Sequence, residues 1–526
     1  VSTQEKIIPA HHEGMLDFVE SVDVSERADV KKLKGGAVGL VGVLFLTVTG
    51  SAPISAMLFN TPISVGYGNG IGTPAGFLVA AVVLTIFGVA YVAMARKVTT
   101  AGGFYSFISH GLGRELGMAS GVLMVVAYSV FEVSLLGGFA YFAQLKAASA
   151  GIHLGWFWFA LAAALVIAVL CYFDVELSAR ILGIGLLCEI VTLIGFDIVS
   201  FVNGHVSAAA INPANAFKGL HAGRFGGSAI AAGAAGIGIF FAFWSWVGWE
   251  MAPNYGEESR DPKRNVPRAL YISVIGLGIF YTLTSWAGIS GYSSIKSAAY
   301  VAQNDAANFF FRPAQQFSGA FLRECLSWFI ITGSFACAMA FHNTTGRYMY
   351  ALGREKVLPA KLGETHATHK SPHIASSVQS VIAIVILVLF ALFATVNNKL
   401  GAGDSVAYIQ VYGLMAVMGV VSILAIQALV SVAIFWYFRT HHKEEHHWWT
   451  TITAPILAVL SQAYVLYLAI KNLNFLGSGY SYTKWLCWGD LLIFAVGLGY
   501  AFYVKRNDRA KYETIGRMIN QGMDSI

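Results

Sequence analysis

Two stretches decide how this chain is read: Thr49-Gly50-Ser51-Ala52-Pro53 and Val247-Gly248-Trp249-Glu250-Met251-Ala252-Pro253. The first interrupts an apolar run from about residue 39 to 58; the second closes one from about 231 to 251. Both runs are long enough to cross a bilayer, and both carry Gly and Pro where a helix is weakened. A broken span leaves backbone N–H and C=O groups unpaired inside the membrane. Such groups persist only where protein, water or a ligand satisfies them. Two broken spans in corresponding halves of a chain point to a binding site near the bilayer midplane.

The rest of the 526 residues supports a membrane reading. Hydrophobic residues make up 56% and charged residues only 12%, with a mean hydropathy of +0.63. Soluble domains carry roughly 25% charged residues. Apolar runs near the ~20 residues that a bilayer requires recur from end to end. They predict an all-α integral membrane protein with twelve spans, at about 36–60, 74–95, 116–146, 155–173, 177–202, 231–254, 268–290, 321–352, 374–396, 406–437, 452–470 and 485–504. These are spans 1 to 12 below.

The net charge of +6 does not indicate nucleic acid, because the basic residues follow the loops. With the N-terminus inside, 25 of the 34 Lys and Arg fall on the cytoplasmic side. This bias predicts a multi-pass protein of the plasma membrane, a prokaryotic inner membrane, with both ends cytoplasmic. No signal peptide is read in the polar first 34 residues. The five cysteines, in or beside spans, read as small apolar filler rather than disulfide partners.

Spans 1–5 and 6–10 each begin with a broken helix, which suggests two inverted repeats of five followed by two extra helices. The divisions are a 1–35 cytoplasmic segment, a 36–437 ten-helix core (repeats about 36–202 and 231–437), a 438–504 loop with spans 11 and 12, and a 505–526 tail. The loops near 203–229 and 291–320 are expected to hold short surface helices. No Gly-x-x-x-x-Gly-Lys-Ser/Thr motif is present, so ATP hydrolysis by that route is excluded. No nucleophile–base pair, metal cluster or cofactor motif is read, so no enzyme, metal or cofactor is expected.

Candidate site residues follow from these breaks. Gly50, Ser51 and Ala52 are small enough for backbone to meet a ligand, and the next half-helix would favour an anionic group; the alternative is a plain proline kink. Phe243, Trp244, Ser245 and Trp246 precede the second break, where rings can close over a substrate or stack on a cation; the alternative is packing. Charge at mid-membrane is costly, so buried acids carry information. Glu132, Glu189, Asp197 and Glu250 are such acids, read as cation-binding groups or proton carriers, or as neutral acids hydrogen-bonded between helices. His441-His442 with His446-His447 reads as a solvated loop rather than a metal site. The sequon Asn343-Thr344-Thr345 lies within span 8 and is discounted.

These residues resemble the amino acid–polyamine–organocation transporters over about residues 36 to 440. The strongest match runs from Phe243 to Arg268, through Trp244-Ser245-Trp246-Val247-Gly248-Trp249-Glu250 and Asp261-Pro262-Lys263-Arg264-Asn265-Val266-Pro267. Others are Asn343 to Arg354 with Leu358-Pro359, and Thr99-Thr100-Ala101-Gly102-Gly103-Phe104-Tyr105. The resemblance implies the leucine-transporter-type fold, with a site between spans 1, 3, 6 and 8. It places Gly50, Ser51 and Ala52 on the family's Gly-Ser-Gly substrate loop, with Ala52-Pro53 where many members have a second Gly. Trp244 matches the aromatic gate of the arginine/agmatine exchangers, and Glu250 a glutamate implicated there in proton sensing. Glu132 falls where span 3 of those exchangers touches substrate. Glu189 falls where some proton-coupled members carry a lysine, with the charge inverted.

The expected function is secondary active transport of an amino acid or organic amine by alternating access, proton-coupled or exchanging. Gly50–Ala52, Glu132 and Phe243–Trp246 would bind substrate, and Glu189 or Glu250 would carry the proton. The expected partners are the small molecule, protons and the lipid bilayer, with the chain a monomer or homodimer. A potassium–proton symporter is the alternative within transport, and an amine sensor that moves nothing is the alternative outside it.

Overall fold

The computed structural model describes residues 33–99, 102–173, 175–394, 406–441, 443–480 and 482–515. The segments 1–32 and 516–526, together with Thr100, Ala101 and His442, lie outside the described residues. Among the described residues, eleven helices are long and apolar enough to cross a membrane: Leu40–Tyr67, Gly70–Ala95, Arg114–Ser149, Trp156–Phe173, Gly183–Asn203, Pro262–Ser290, Phe311–Arg354, His373–Phe393, Val406–Thr440, Trp448–Lys471 and Thr483–Asn507. They correspond to spans 1–5 and 7–12. Span 6 is absent from that set because it is cut in two. Ala235–Trp244 is α-helical, and Trp249–Glu258 is wound as a tighter 3₁₀ stretch.

Burial separates inner from outer helices. In the apolar window of span 3, 83% of residues are buried, against 17% in span 12. Span 3 therefore packs on all sides, whereas span 12 shows Leu491, Leu492 and Val496 outward. Span 5 exposes Val191, Ile194, Ile198 and Val202, an i, i+3, i+7, i+11 stripe along one helix face. In water that stripe would be an unexplained apolar surface; against acyl chains it needs no partner.

The loop from about 203 to 229 holds two 3₁₀ turns, Ala208–Ile211 and Pro213–Phe217, as short helices were expected there. It continues into a small antiparallel hairpin of Gly223–Phe225 with Ser228–Ile230, which the sequence reading did not anticipate. Gly226 and Gly227 both take positive φ at its tip, as tight two-residue turns require. The 291–320 loop carries the helix Ile295–Asn304, closed by a Ser294/Ser297 capping box. Gln303 ties this helix to span 1 and to the hairpin exit through Gly66 O and the Ala231 backbone.

The opposite face of the bundle is knitted by backbone and ion pairs. Val38 bridges Ser259 in parallel, with Val38 N–H donating to Glu258 O (3.1 Å) and Arg260 N–H to Val38 O (3.0 Å). Arg347 of span 8 holds Glu258 through two hydrogen bonds of 2.6 and 2.9 Å and covers the Tyr255 ring at 4.5 Å. Arg354 holds Glu257 in the same two-pronged way, at 3.0 and 2.6 Å. Here the charged link after span 6 is joined to the end of span 8.

Candidate functional site

Helix geometry explains the first break. The helix Leu40–Gly50 ends as Ser51 N–H turns back to Val48 O (3.1 Å) and Ala52 N–H to Thr49 O (3.0 Å). Pro53 has no N–H to continue the ladder. Ala52 takes φ +41°, a left-handed conformation that disfavours any side chain. The chain restarts as a helix at Pro53, where a missing N–H costs nothing. The carbonyls freed by the break find other donors: Cys337 Sγ donates to Gly50 O (3.2 Å) and Tyr281 OH to Ser51 O (2.8 Å). Among the described residues no bond joins Ile54 N–H or Ser55 N–H to those carbonyls. These N–H groups open the second half-helix, with the Ser51 hydroxyl buried and unpartnered nearby.

The second break turns at Gly248, with φ +117°. Its own N–H donates to Glu250 Oε2 (2.9 Å), so the glutamate caps the turn from two residues on. Tyr128 of span 3 donates to Glu250 Oε1 (3.0 Å) and Tyr91 of span 2 to Glu250 O (3.1 Å). Glu250 therefore fastens the broken segment to two neighbouring spans.

The two breaks touch. A Cβ on Gly248 would lie 2.3 Å from the Gly50 carbonyl carbon and oxygen, and 2.7 Å from Ser51 N. A Cβ on Gly50 would meet Met251 Sδ at 3.0 Å and Gly248 at 3.4 Å. Gly248 needs glycine because backbone crosses backbone there, and Gly50 sits tight against Met251 Sδ.

A small cavity of ≈30 Å³ lies at this crossing. Gly50, Ser51, Ala52, Ser55 and Asn60 line it from span 1, Trp244, Ser245 and Val247 from span 6, Phe131 and Leu135 from span 3, and Cys337 and Phe341 from span 8. No charged side chain lines it. Asn60 Nδ2 donates to Ser245 Oγ (2.9 Å), and Tyr412 OH of span 10 donates to Asn60 Oδ1 (3.2 Å), tying three spans at one end of the cavity. A larger cavity of ≈360 Å³ lies beyond, toward the hairpin face. Trp244 and Tyr412 belong to both cavities and stack at 5.4 Å, so this ring pair is the partition. Phe241 extends the stack on Trp244 at 4.9 Å.

The structure thus brings Gly50, Ser51, Ala52, Trp244 and Ser245 to one cavity. Phe243 is buried outside its lining, and Trp246 packs edge-on against Tyr281 (4.9 Å) of span 7. Glu132 also stays out of the cavity, which its neighbour Phe131 lines. Its carboxylate accepts from His342 Nδ1 (2.9 Å) and Gln379 Nε2 (2.7 Å). Glu189 is buried beside span 1; a Cβ on Gly333 would meet Glu189 Oε1 and Ile54 Cγ2, both at 2.6 Å. Asp197 accepts from Thr284 Oγ1 (2.8 Å) and takes no part in the cavity.

Asn60, Tyr412, Phe131, Phe341 and Val247 were missed in the sequence. Asn60 had a signal, a lone amide in an apolar run before Pro62. His342 and Gln379 had the same kind of signal. The rings had none, since Phe and Tyr occur throughout the spans.

The family model described as amino acid permease matches residues 38–494. The branched-chain amino acid permease of Bacillus subtilis is 22% identical over 357 residues, 65% of this chain and 70% of that protein. The branched-chain amino acid permease of Lactococcus lactis is 25% identical over 347 residues, 61% of this chain and 70% of that protein. Among solved structures, the Eremococcus coleocola manganese transporter superposes with a TM-score of 0.53 at 12% identity, covering 89% of this chain and 95% of that one.

Proposed function

The chain belongs to the amino acid permease family, and from that premise we propose that it transports a neutral amino acid by alternating access within a twelve-span, five-plus-five inverted-repeat fold. The observation that carries this reading is the meeting of the two broken spans at Gly50 and Gly248 around a cavity without charge. The substrate carboxylate would take the N–H groups of Ile54 and Ser55 and the Ser51 hydroxyl, where the half-helix dipole also favours an anion. The ammonium would lie toward Asn60 Oδ1 and Ser245 Oγ, both in the wall. The apolar remainder, Phe131, Leu135, Val247 and Phe341, suits an aliphatic side chain and offers no counter-charge to a cationic one. The names of the two branched-chain permeases point the same way.

A space of ≈30 Å³ is about the share of one water molecule in the liquid, too small for an amino acid. Binding therefore requires a wall to move, and the Trp244–Tyr412 partition is the wall that separates this space from the larger cavity. With the basic loops inside, the large cavity is the extracellular vestibule and the Arg347–Glu258 and Arg354–Glu257 pairs close the cytoplasmic side. Spans 1 and 6 tilt together, because their breaks are in contact. Coupling is to protons, with Glu189 beside span 1 and Glu250 at the span 6 turn as carriers.

Counterflow of radiolabelled L-valine in proteoliposomes tests this. Uptake expected against internal L-valine, accelerated by an inward proton gradient, supports the reading. Potassium-dependent flux without amino acid exchange would replace it with the ion-symporter reading. Binding with no flux would replace it with a sensor.

A further inference from the structure

We propose that Glu132 and His342 form a proton-binding site, separate from Glu189 and Glu250, whose occupancy is linked to the substrate cavity through Phe131 and Phe341. The inference rests on the reading of the chain as an amino acid transporter. It assigns to Glu132 a role behind the substrate rather than against it.

The geometry is specific. Glu132 and His342 are each 1% exposed and meet at 2.9 Å through His342 Nδ1. The second Glu132 oxygen accepts from Gln379 Nε2 (2.7 Å), and Gln379 Oε1 accepts from Ser129 Oγ (2.7 Å). His342 Nε2 lies 2.9 Å from Ser376 Oγ. A hydroxyl both donates and accepts. With Nε2 bare, Ser376 donates to it; with Nε2 protonated, Ser376 accepts. Both ring states therefore keep two hydrogen bonds, with a hydroxyl rotation as the only rearrangement. The added proton comes from water, sits on Nε2, and changes the net charge of the cluster from minus one to zero. In a low-dielectric interior that change is felt by neighbouring groups.

The link to the cavity is one residue long on each helix. Phe131 precedes Glu132 and Phe341 precedes His342; both rings line the small cavity, stacked at 4.8 Å and 8°. A change in the pair's separation moves the same two backbones that carry this wall.

Other ionisable groups lie on the elements packed around the pair. Span 3 itself brings Tyr128, which donates to Glu250. Span 4 brings Cys171, which is buried. Span 8 brings Arg347, held by Glu258, and span 9 brings His373 at its start. Span 10 meets Phe131 at Gly419 and has no ionisable side chain between Tyr412 and Tyr437. Span 12 brings Asp490, beside Ser422 of span 10, and the helix Gly103–Leu112 brings Tyr105, bonded to Glu355, and His110, bonded to Ser106 O. Glu189 contacts Gly333, nine residues before His342 and so about 14 Å away along the helix.

The test uses full-length protein labelled with ¹⁵N-histidine, in lipid, from about pH 5 to 9. The His342 signal is assigned by its loss in His342→Asn. The expected result is an Nε2 resonance that moves between acceptor and N–H positions as pH falls, with L-valine shifting the midpoint. A coupling of about fivefold corresponds to about 0.7 pH unit. Glu132→Gln should abolish the titration, and Ser376→Ala, which removes only a hydroxyl, should move its midpoint. An Nε2 signal unchanged across the range overturns the site. A titration that L-valine leaves in place, while L-valine raises the melting temperature, overturns the link to the cavity. If L-valine does not raise the melting temperature, the amino acid reading fails instead, and the titration by itself still decides the proton site.

Discussion

Gly248→Ala is the perturbation that most directly tests how this site is built. The new methyl carbon would stand 2.3 Å from the Gly50 carbonyl carbon and oxygen, where ordinary contact is 3.4–4 Å. The two broken spans must then separate by about 1 Å, the shift that restores a normal contact. Alanine would also be held at φ +117°, a conformation that costs about 1–3 kcal/mol without glycine. Overpacking of this kind adds about 1–3 kcal/mol. A combined loss in the lower half of the summed range, about 3 kcal/mol, equals about 150-fold in affinity if it falls wholly on the substrate-competent arrangement. The assay is a radioligand titration with L-valine, run beside a thermal melt of the same preparation. Gly276→Ala is the control, because nothing lies within 4 Å of its added carbon on span 7; it should leave affinity unchanged. If Gly248→Ala binds L-valine within about twofold of the parent and melts at the same temperature, the claim that the breaks interlock through backbone is wrong; a twofold change is only about 0.4 kcal/mol.

Three further outcomes follow from the same structure. Ala52→Gly should raise stability by about 1 kcal/mol, since it relieves the left-handed strain at φ +41°; an unchanged or lower melting temperature counts against that strain. Arg347→Met leaves Glu258 buried without its two-pronged partner and should cost about 3–5 kcal/mol; the check is a thermal melt together with cysteine labelling behind the closed face, which should increase. Trp244→Ala removes the partition between the two cavities and should speed L-valine dissociation by about 30-fold, the equivalent of about 2 kcal/mol at a buried aromatic anchor; unchanged dissociation would mean the ring is packing alone.

The sequence was most legible where chemistry is local. Gly50 and Gly248 were marked by Gly and Pro inside apolar runs, and the described residues put both at the break. Glu132 shows the limit of such reading. A carboxylate in mid-span announces that something must satisfy it, but not what. His342 lies 210 positions away and Gln379 lies 247 away, so no window of sequence contains the cluster. Trp246 lies outside the cavity lining for a different reason. It stands two residues from Trp244 but past the end of that helix, where its N–H turns back to Phe243 O (3.1 Å), so the turn carries its ring away from the Trp244 face. Trp244 meets the cavity and Trp246 meets Tyr281.

By itself, then, the chain determines that it crosses a membrane many times and that two of its crossings are broken. Hydrophobic length, Gly and Pro act within a single segment, and their consequences can be read one segment at a time. The tertiary structure alone decided that the two breaks touch, that Trp244 and Tyr412 divide one space from another, and that Glu132 faces a histidine rather than the cavity. Those are relations between helices. They depend on crossing angles and rotations set by packing over the whole bundle, and the small residues that permit such close approach have meaning only when the partner backbone is in place.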